Sequence, residues 1–228
     1  AILMCSLFRR GSLGTPLGLG TIVEGESLCQ IVHNQDRFGA RTSLRGALVV
    51  TPLGMEPATL VELINDQFSV IVECITREGG IVNKFVGDAV MAFWNAPNEG
   101  PDHAYRACTA ALTALDGLAA RPGDDGSIRF GFGVNTGLAL AGNVGSSGRF
   151  EYTLMGETVN TSSRLSGAAG GGEVFIGQST RDLLGDRIGV DELPPQQLKG
   201  MAAPVAIYRL RRGPTKARAI AAAAEAIA

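Results

Sequence analysis

Apolar positions between Leu60 and Ile75 recur with a helical period. Leu60, Leu63, Ile64, Phe68, Ile71, Val72 and Ile75 form one stripe. Pro57 suits the first helical position, and Gly79-Gly80 ends the run. The period changes at Ile81. From there to Trp94 two short apolar strands flank Gly87, which is free to take the positive φ of a tight hairpin turn. A second helical stripe, rich in Ala and Leu, reaches Ala120, with Asp102 placed to cap it. Ile128 to Val134 and Leu138 to Val144 alternate as strands around Asn135-Thr136-Gly137. Phe150 to Leu154 is another strand, and Thr158 to Ala168 a helix. Glu173 to Ile176, Ser179 to Leu184 and Val205 to Leu210 read as strand, short helix and strand. This order predicts an α+β sandwich with a mostly antiparallel sheet.

The pattern is weaker before Met55. Gly11 to Gly20 has loop composition, and Leu28 to Val32 and Ala47 to Val50 are short apolar runs that read as core strands. The predicted boundaries are an N-terminal segment or linker at 1–24, a domain at 25–212 and a tail at 213–228, where Ala217 to Ala228 is Ala-rich.

Composition removes several functions. Across 228 residues the formal net charge is −2, so no basic excess points to nucleic acid or an anionic membrane surface. The apolar opening, Ala1 to Phe8, is too short to span a bilayer. Arg9-Arg10 would suit the cytoplasmic side of a span lying upstream. The four cysteines form no CxxC pair, and Cys74 and Cys108 fall on apolar helix faces. They read as reduced core thiols, which fits a cytoplasmic location. Two histidines exclude a His-rich zinc site and leave a Ser-His-Asp triad unsupported. Gly170-Gly171-Gly172 follows a helix and precedes a strand, the wrong order for a phosphate loop.

Two stretches carry candidate chemistry. In Asn83 to Phe93 the hairpin tip presents Asp88, an oxygen donor suited to a hard divalent cation, with Lys84 behind it on the strand. Lys84 could meet an anion or a base edge; ordinary solvated charges are the alternative. In Arg149 to Leu165 a strand leads into a polar helix start, and Asn160 and Arg164, four apart, share a helix face.

Together with Met55-Glu56-Pro57, His103-Ala104 and Leu198-Lys199-Gly200, these stretches resemble the class III nucleotide cyclase catalytic domain from about Met55 to Leu210. The resemblance implies a ferredoxin-like βαββαβ core with additions, and cyclisation of ATP to 3′,5′-cyclic AMP with release of pyrophosphate. It gives Asp88 as one of two carboxylates holding Mg²⁺ or Mn²⁺. Lys84 then donates to the adenine ring, and Thr153 accepts from its amino group. Asn160 orients the ribose or the nucleophile, Arg164 stabilises the transition state, and Lys199 binds phosphate.

The second carboxylate has two placements. Spacing from Gly25-Glu26 assigns it to Asp36. Aligning Leu44-Arg45-Gly46 instead puts Ser43 there and leaves one carboxylate; Asp36 is the one adopted. The implied partners are ATP and a second copy of the chain, because the site lies between two subunits, with no nucleic acid. A sensor or membrane domain could precede the chain. The alternatives are a catalytically silent homology domain acting as a dimerising regulatory module, and a guanylate cyclase, which Lys84 disfavours.

Overall fold

A computed structural model describes residues 1–9, 40–44, 47–51, 57–97, 99–100, 102–121, 128–146 and 148–213. The elements are β1 (Ile2–Arg9), β2 (Ala40–Leu44), β3 (Ala47–Thr51), α1 (Pro57–Arg77), β4 (Ile81–Val86), β5 (Ala89–Phe93), α2 (His103–Ala119), β6 (Ile128–Asn135), β7 (Leu140–Ser146), β8 (Arg149–Met155), α3 (Glu157–Ala168), β9 (Val174–Gly177), α4 (Gln178–Leu184), β10 (Val190–Gln196) and β11 (Val205–Leu210).

A seven-stranded sheet runs β10-β11-β9-β6-β1-β5-β4. Its β6-β1-β5-β4 half, connected β1-α1-β4-β5-α2-β6, is the expected ferredoxin-like βαββαβ core. β6 and β9 pair in parallel, and the other neighbours in the sheet are antiparallel.

The position of β1 corrects the sequence reading. The strand between β5 and β6 is Ile2–Arg9, so the sheet takes in residues that the sequence reading placed in an N-terminal segment before residue 25. The cause is double coverage. Leu3 and Cys5 lie in the core under α1 and α2, while Ile2 and Met4 lie in the cluster on the opposite face with Met91, Phe93 and Leu154. A strand covered on both faces is apolar throughout, so its alternation disappears from the sequence. Leu28 to Val32 and Asp36 lie outside the described residues. Ala47–Thr51 is a strand, but it pairs with β2 in a separate two-stranded sheet. β10 was not anticipated, because Pro194 and Pro195 interrupt it. It is an edge strand whose register shifts between Leu193 and Gln196, where prolines are tolerated.

α3 lies directly on β1 and β6. Ser162 Oγ sits 3.0 Å from the Ile2 carbonyl and 2.9 Å from that of Gly133, and Ser166 Oγ donates to Gly131 O at 3.2 Å. Gly133 permits this approach, since a methyl there would overlap the Ser162 and Ser166 backbone. Cys5, Cys74 and Cys108 are buried free thiols, as expected of core residues, and burial pushes Cys5 and Cys108 up to about 12. Asp102 stands at the start of α2 with φ 62° but makes no side-chain cap; it pairs with Arg187 at 2.6 Å. β7 and β8 form a two-stranded arm that exposes Leu140, Val144, Phe150, Tyr152 and Met155. Among the described residues no helix is long and apolar enough to cross a membrane.

Candidate active site

Gly87 takes φ 60° and turns β4 into β5, which fixes the faces of both strands. Lys84 pairs with Met91, so it shares the Met91–Phe93 side of the sheet. Its ammonium lies 2.7 Å from Glu151 Oε1 on β8, and the neighbouring Asn83 Nδ2 donates to Tyr152 O at 3.0 Å. These two contacts moor the β7–β8 arm to β4. Thr153 follows Glu151 by two residues and projects from the same side of β8. Lys84, a donor, thus contacts the β8 residue two places before Thr153, whose hydroxyl can accept. Glu151 was missed from sequence. Its signal was the two-residue spacing to Thr153, which is meaningful only once β8 is known to cross β4.

Gly156, at φ 137°, leads β8 into α3. Thr158, Thr161, Ser162, Leu165 and Ser166 are buried, which leaves Asn160 and Arg164 together on the exposed side. Thr158 Oγ1 donates to Leu138 O at 2.7 Å and fixes the first turn. Among the described residues Arg164 has no ion pair, so its guanidinium is available to an anion. Lys199 is exposed beside the buried Leu198 and Gly200, at φ 79°. No contact among the described residues joins it to the other four.

Asp88 belongs to the other face. Phe85 pairs with Val90 and stacks on Phe68 of α1 at 5.0 Å between centroids, which marks the helix-covered side. Asp88 is buried there, near enough to Cys5 for its charge to raise that thiol. Burial pushes the Asp88 carboxyl up to about 7, and Oδ2 has no hydrogen-bond partner among the described residues.

An orphaned buried carboxylate oxygen suits one cation. A clamp of two ions needs more oxygen donors. Ser6 pairs with Ala89, so the next position along β1, alongside Asp88, is residue 7, a leucine. Its side chain offers no oxygen. Asp36 lies outside the described residues. Ser43, the other placement, belongs to β2 and pairs with Leu48, away from β5. Among the described residues no group of three His, Cys, Asp or Glu side chains is placed to hold a metal. The described residues therefore do not fit a two-ion site.

Lys84 and Asp88 face opposite ways, although only three residues separate them. Lys84 and the helix that carries Asn160 and Arg164 lie on one side of the sheet, and Asp88 lies on the other.

Residues 50–212 match the family described as the adenylate and guanylate cyclase catalytic domain. Adenylate cyclase 1 of Rhizobium meliloti (strain 1021) is 38% identical over 119 residues, which are 50% of this chain and 18% of that protein. The chain thus spans about a fifth of the length of the curated relatives it matches. Among solved structures, the adenylyl cyclase CyaB from P. aeruginosa superposes with a TM-score of 0.66 at 22% identity, covering 93% of each chain. The guanylate cyclase domain of RhGC from Catenaria anguillulae, in complex with GTP, gives 0.66 at 19% identity, covering 92% of this chain and 95% of that one. At these identities the two structures speak for the fold.

Proposed function

The chain belongs to the adenylate and guanylate cyclase catalytic domain family, and we propose that it is a domain of the adenylate kind, which binds ATP for conversion to 3′,5′-cyclic AMP and pyrophosphate between two paired cyclase domains. The observation that carries the choice of base is the Lys84–Thr153 seam. Adenine presents an acceptor at N1 and an amino donor beside it. The Lys84 ammonium donates to the first, and the Thr153 hydroxyl accepts from the second. Guanine presents a donor at N1 and a carbonyl in place of the amino group, so Lys84 would face an N–H with no acceptor to offer it.

Arg164 supplies a planar, permanently charged fork to phosphoryl oxygens as negative charge grows on them. Asn160, one helical turn earlier, presents an amide at the spacing of a ribose held beside that phosphate. The opposed faces of Lys84 and Asp88 support a site completed by a second domain. A two-fold pair would place one chain's Asp88 against the other chain's seam. The exposed arm residues Phe150 and Tyr152 offer apolar surface for such pairing.

The test is competitive binding of Mn²⁺-ATP and Mn²⁺-GTP to the purified chain, with any product identified. ATP should be preferred by roughly 10- to 100-fold, the equivalent of about 1–3 kcal/mol for one mismatched buried donor. Lys84→Glu should erase that preference. Equal or tighter binding of GTP by the parent would sink the assignment.

A further inference from the structure

We propose that this chain carries half of a cyclase site: it reads the nucleotide but holds one divalent cation where two are needed, because residue 7 is leucine. The productive partner is then a second cyclase domain that brings two carboxylates of its own. The inference rests on the cyclase reading above and goes beyond it.

The geometry is local. Asp88 ends the turn just before β5, and the strands flanking β5 are β4 and β1. On β4 the hairpin offers only Val86 and Gly87 near the turn. On β1 the antiparallel register runs Ile2–Phe93, Met4–Met91 and Ser6–Ala89, so residue 7 is the position next to Asp88. Two carboxylates that share an ion pair must lie within a few ångströms of each other, because the ions themselves sit roughly 3.5–4 Å apart. Neighbouring strands, about 4.8 Å apart, satisfy that spacing. Residue 7 is thus the β1 position from which a side chain could complete the pair, and leucine cannot ligate.

The reading half is untouched by this. Lys84, Thr153, Asn160 and Arg164 stand on the other side of the sheet, held by the Glu151 and Tyr152 contacts and by the α3 hydroxyl bonds. Two copies of this chain would bind ATP at both seams and, among the described residues, present a single carboxylate to each.

The experiment combines cation stoichiometry with turnover. Mn²⁺ bound per nucleotide is counted by electron paramagnetic resonance in the presence of a non-cyclisable ATP analogue. The proteins compared are the full parent chain, Leu7→Asp and Leu7→Asn, with the circular dichroism of each checked. The parent and Leu7→Asn should bind one Mn²⁺ per nucleotide. Leu7→Asp should bind two and should raise turnover of Mn²⁺-ATP at least roughly 100-fold, the scale on which a second ion acts. The parent should also form cyclic AMP when mixed with a cyclase domain that has both carboxylates but lacks its own seam lysine. Two Mn²⁺ per nucleotide in the parent overturns the inference and leaves the cyclase reading standing, and this measurement does not depend on any variant folding. One Mn²⁺ in a folded Leu7→Asp protein also overturns it. Two Mn²⁺ in Leu7→Asp with no cyclic product supports residue 7 as the missing ligand position but refutes the cyclase reading. Failure of every protein to bind the nucleotide refutes both.

Discussion

Gly133→Ala tests how the sheet holds its candidate catalytic helix. A methyl at residue 133 would overlap Ser162 O and Ser166 N and would stand 2.9 Å from the Leu165 carbonyl carbon. These are backbone atoms inside α3, so no side-chain rotation relieves the overlap. The helix must move outward by roughly 1 Å to restore normal contact. That displacement stretches the Ser162 bonds to Ile2 O and Gly133 O and the Ser166 bond to Gly131 O. Overpacking costs about 1–3 kcal/mol, and each weakened hydrogen bond about 1 kcal/mol. The expected loss is roughly 2–5 kcal/mol, a large part of the stability of an ordinary domain. Urea unfolding should show a midpoint lower by about 1–2 M with little change in slope. Gly142→Ala, on the arm with nothing within 4 Å of the added methyl, should stay within about 0.5 kcal/mol of the parent. The displaced helix carries Asn160 and Arg164 with it. In the Leu7→Asp background Gly133→Ala should cut turnover by roughly 100-fold, the scale of a 1 Å misplacement. A Gly133→Ala protein as stable as the Gly142→Ala control would refute the close packing.

Glu151→Gln should leave stability within about 1 kcal/mol, because the Lys84–Glu151 pair is only partly shielded from water. It should lower the preference for ATP over GTP several-fold, read by the same competition binding, since Lys84 loses the group that orients it. Asp88→Asn tests the buried carboxyl in the presence of a chelator. The folded state raises that carboxyl from 3.8 to about 7, so between those values the folded chain binds more protons than the unfolded one. Its stabilising contribution is present below pH 4 and is lost as pH rises through 7. The parent should therefore lose on the order of a few kcal/mol relative to Asp88→Asn between pH 4 and pH 8 in denaturant melts. Parallel pH profiles of the two proteins would show that Asp88 is not desolvated.

What the sequence revealed follows from how each element is covered. α1 buries one side of its circumference, so Ile64, Phe68, Ile71 and Ile75 stand out against polar neighbours such as Asn65 and Asp66. The β4–β5 turn was legible from Gly87 alone, because few residues other than glycine accept its φ. β1 was hidden by the opposite condition. Ile2, Leu3, Met4 and Cys5 are all buried, two on each face, and a uniform apolar run carries no period to read. With β1 not recognised, the second carboxylate was sought at Asp36, which lies outside the described residues. Lys84, Thr153, Asn160 and Arg164 were named through the family resemblance; the structure puts Lys84 on β4, Thr153 on β8, and Asn160 and Arg164 together on the exposed side of α3. Glu151 and Leu7 matter through cross-strand neighbours, which only the register of β8 on β4 and of β1 on β5 supplies.

The sheet explains how a chain could keep the reading half while residue 7 is a leucine. Lys84 and Asp88 are four residues apart, yet the turn at Gly87 leaves them on opposite faces, where they pack against different partners. Lys84 is tied to the arm, and Asp88 is enclosed beside Cys5 under α1. A change at residue 7 therefore falls in the layer that contains Asp88 and spares the hydroxyl bonds that hold α3 or the contacts that hold β8. On the proposed pairing, reading and metal-holding are separable in one chain, because each would reach a given nucleotide from a different member of the pair. A symmetric pair of this chain repeats the deficit in both sites. Pairing it with a domain that holds both carboxylates confines the deficit to one site and leaves the other complete. Such a pair should thus bind two ATP molecules and cyclise one of them, a half-of-sites stoichiometry that single-turnover product counting can measure. Two equivalents of cyclic AMP in the first turnover would contradict it.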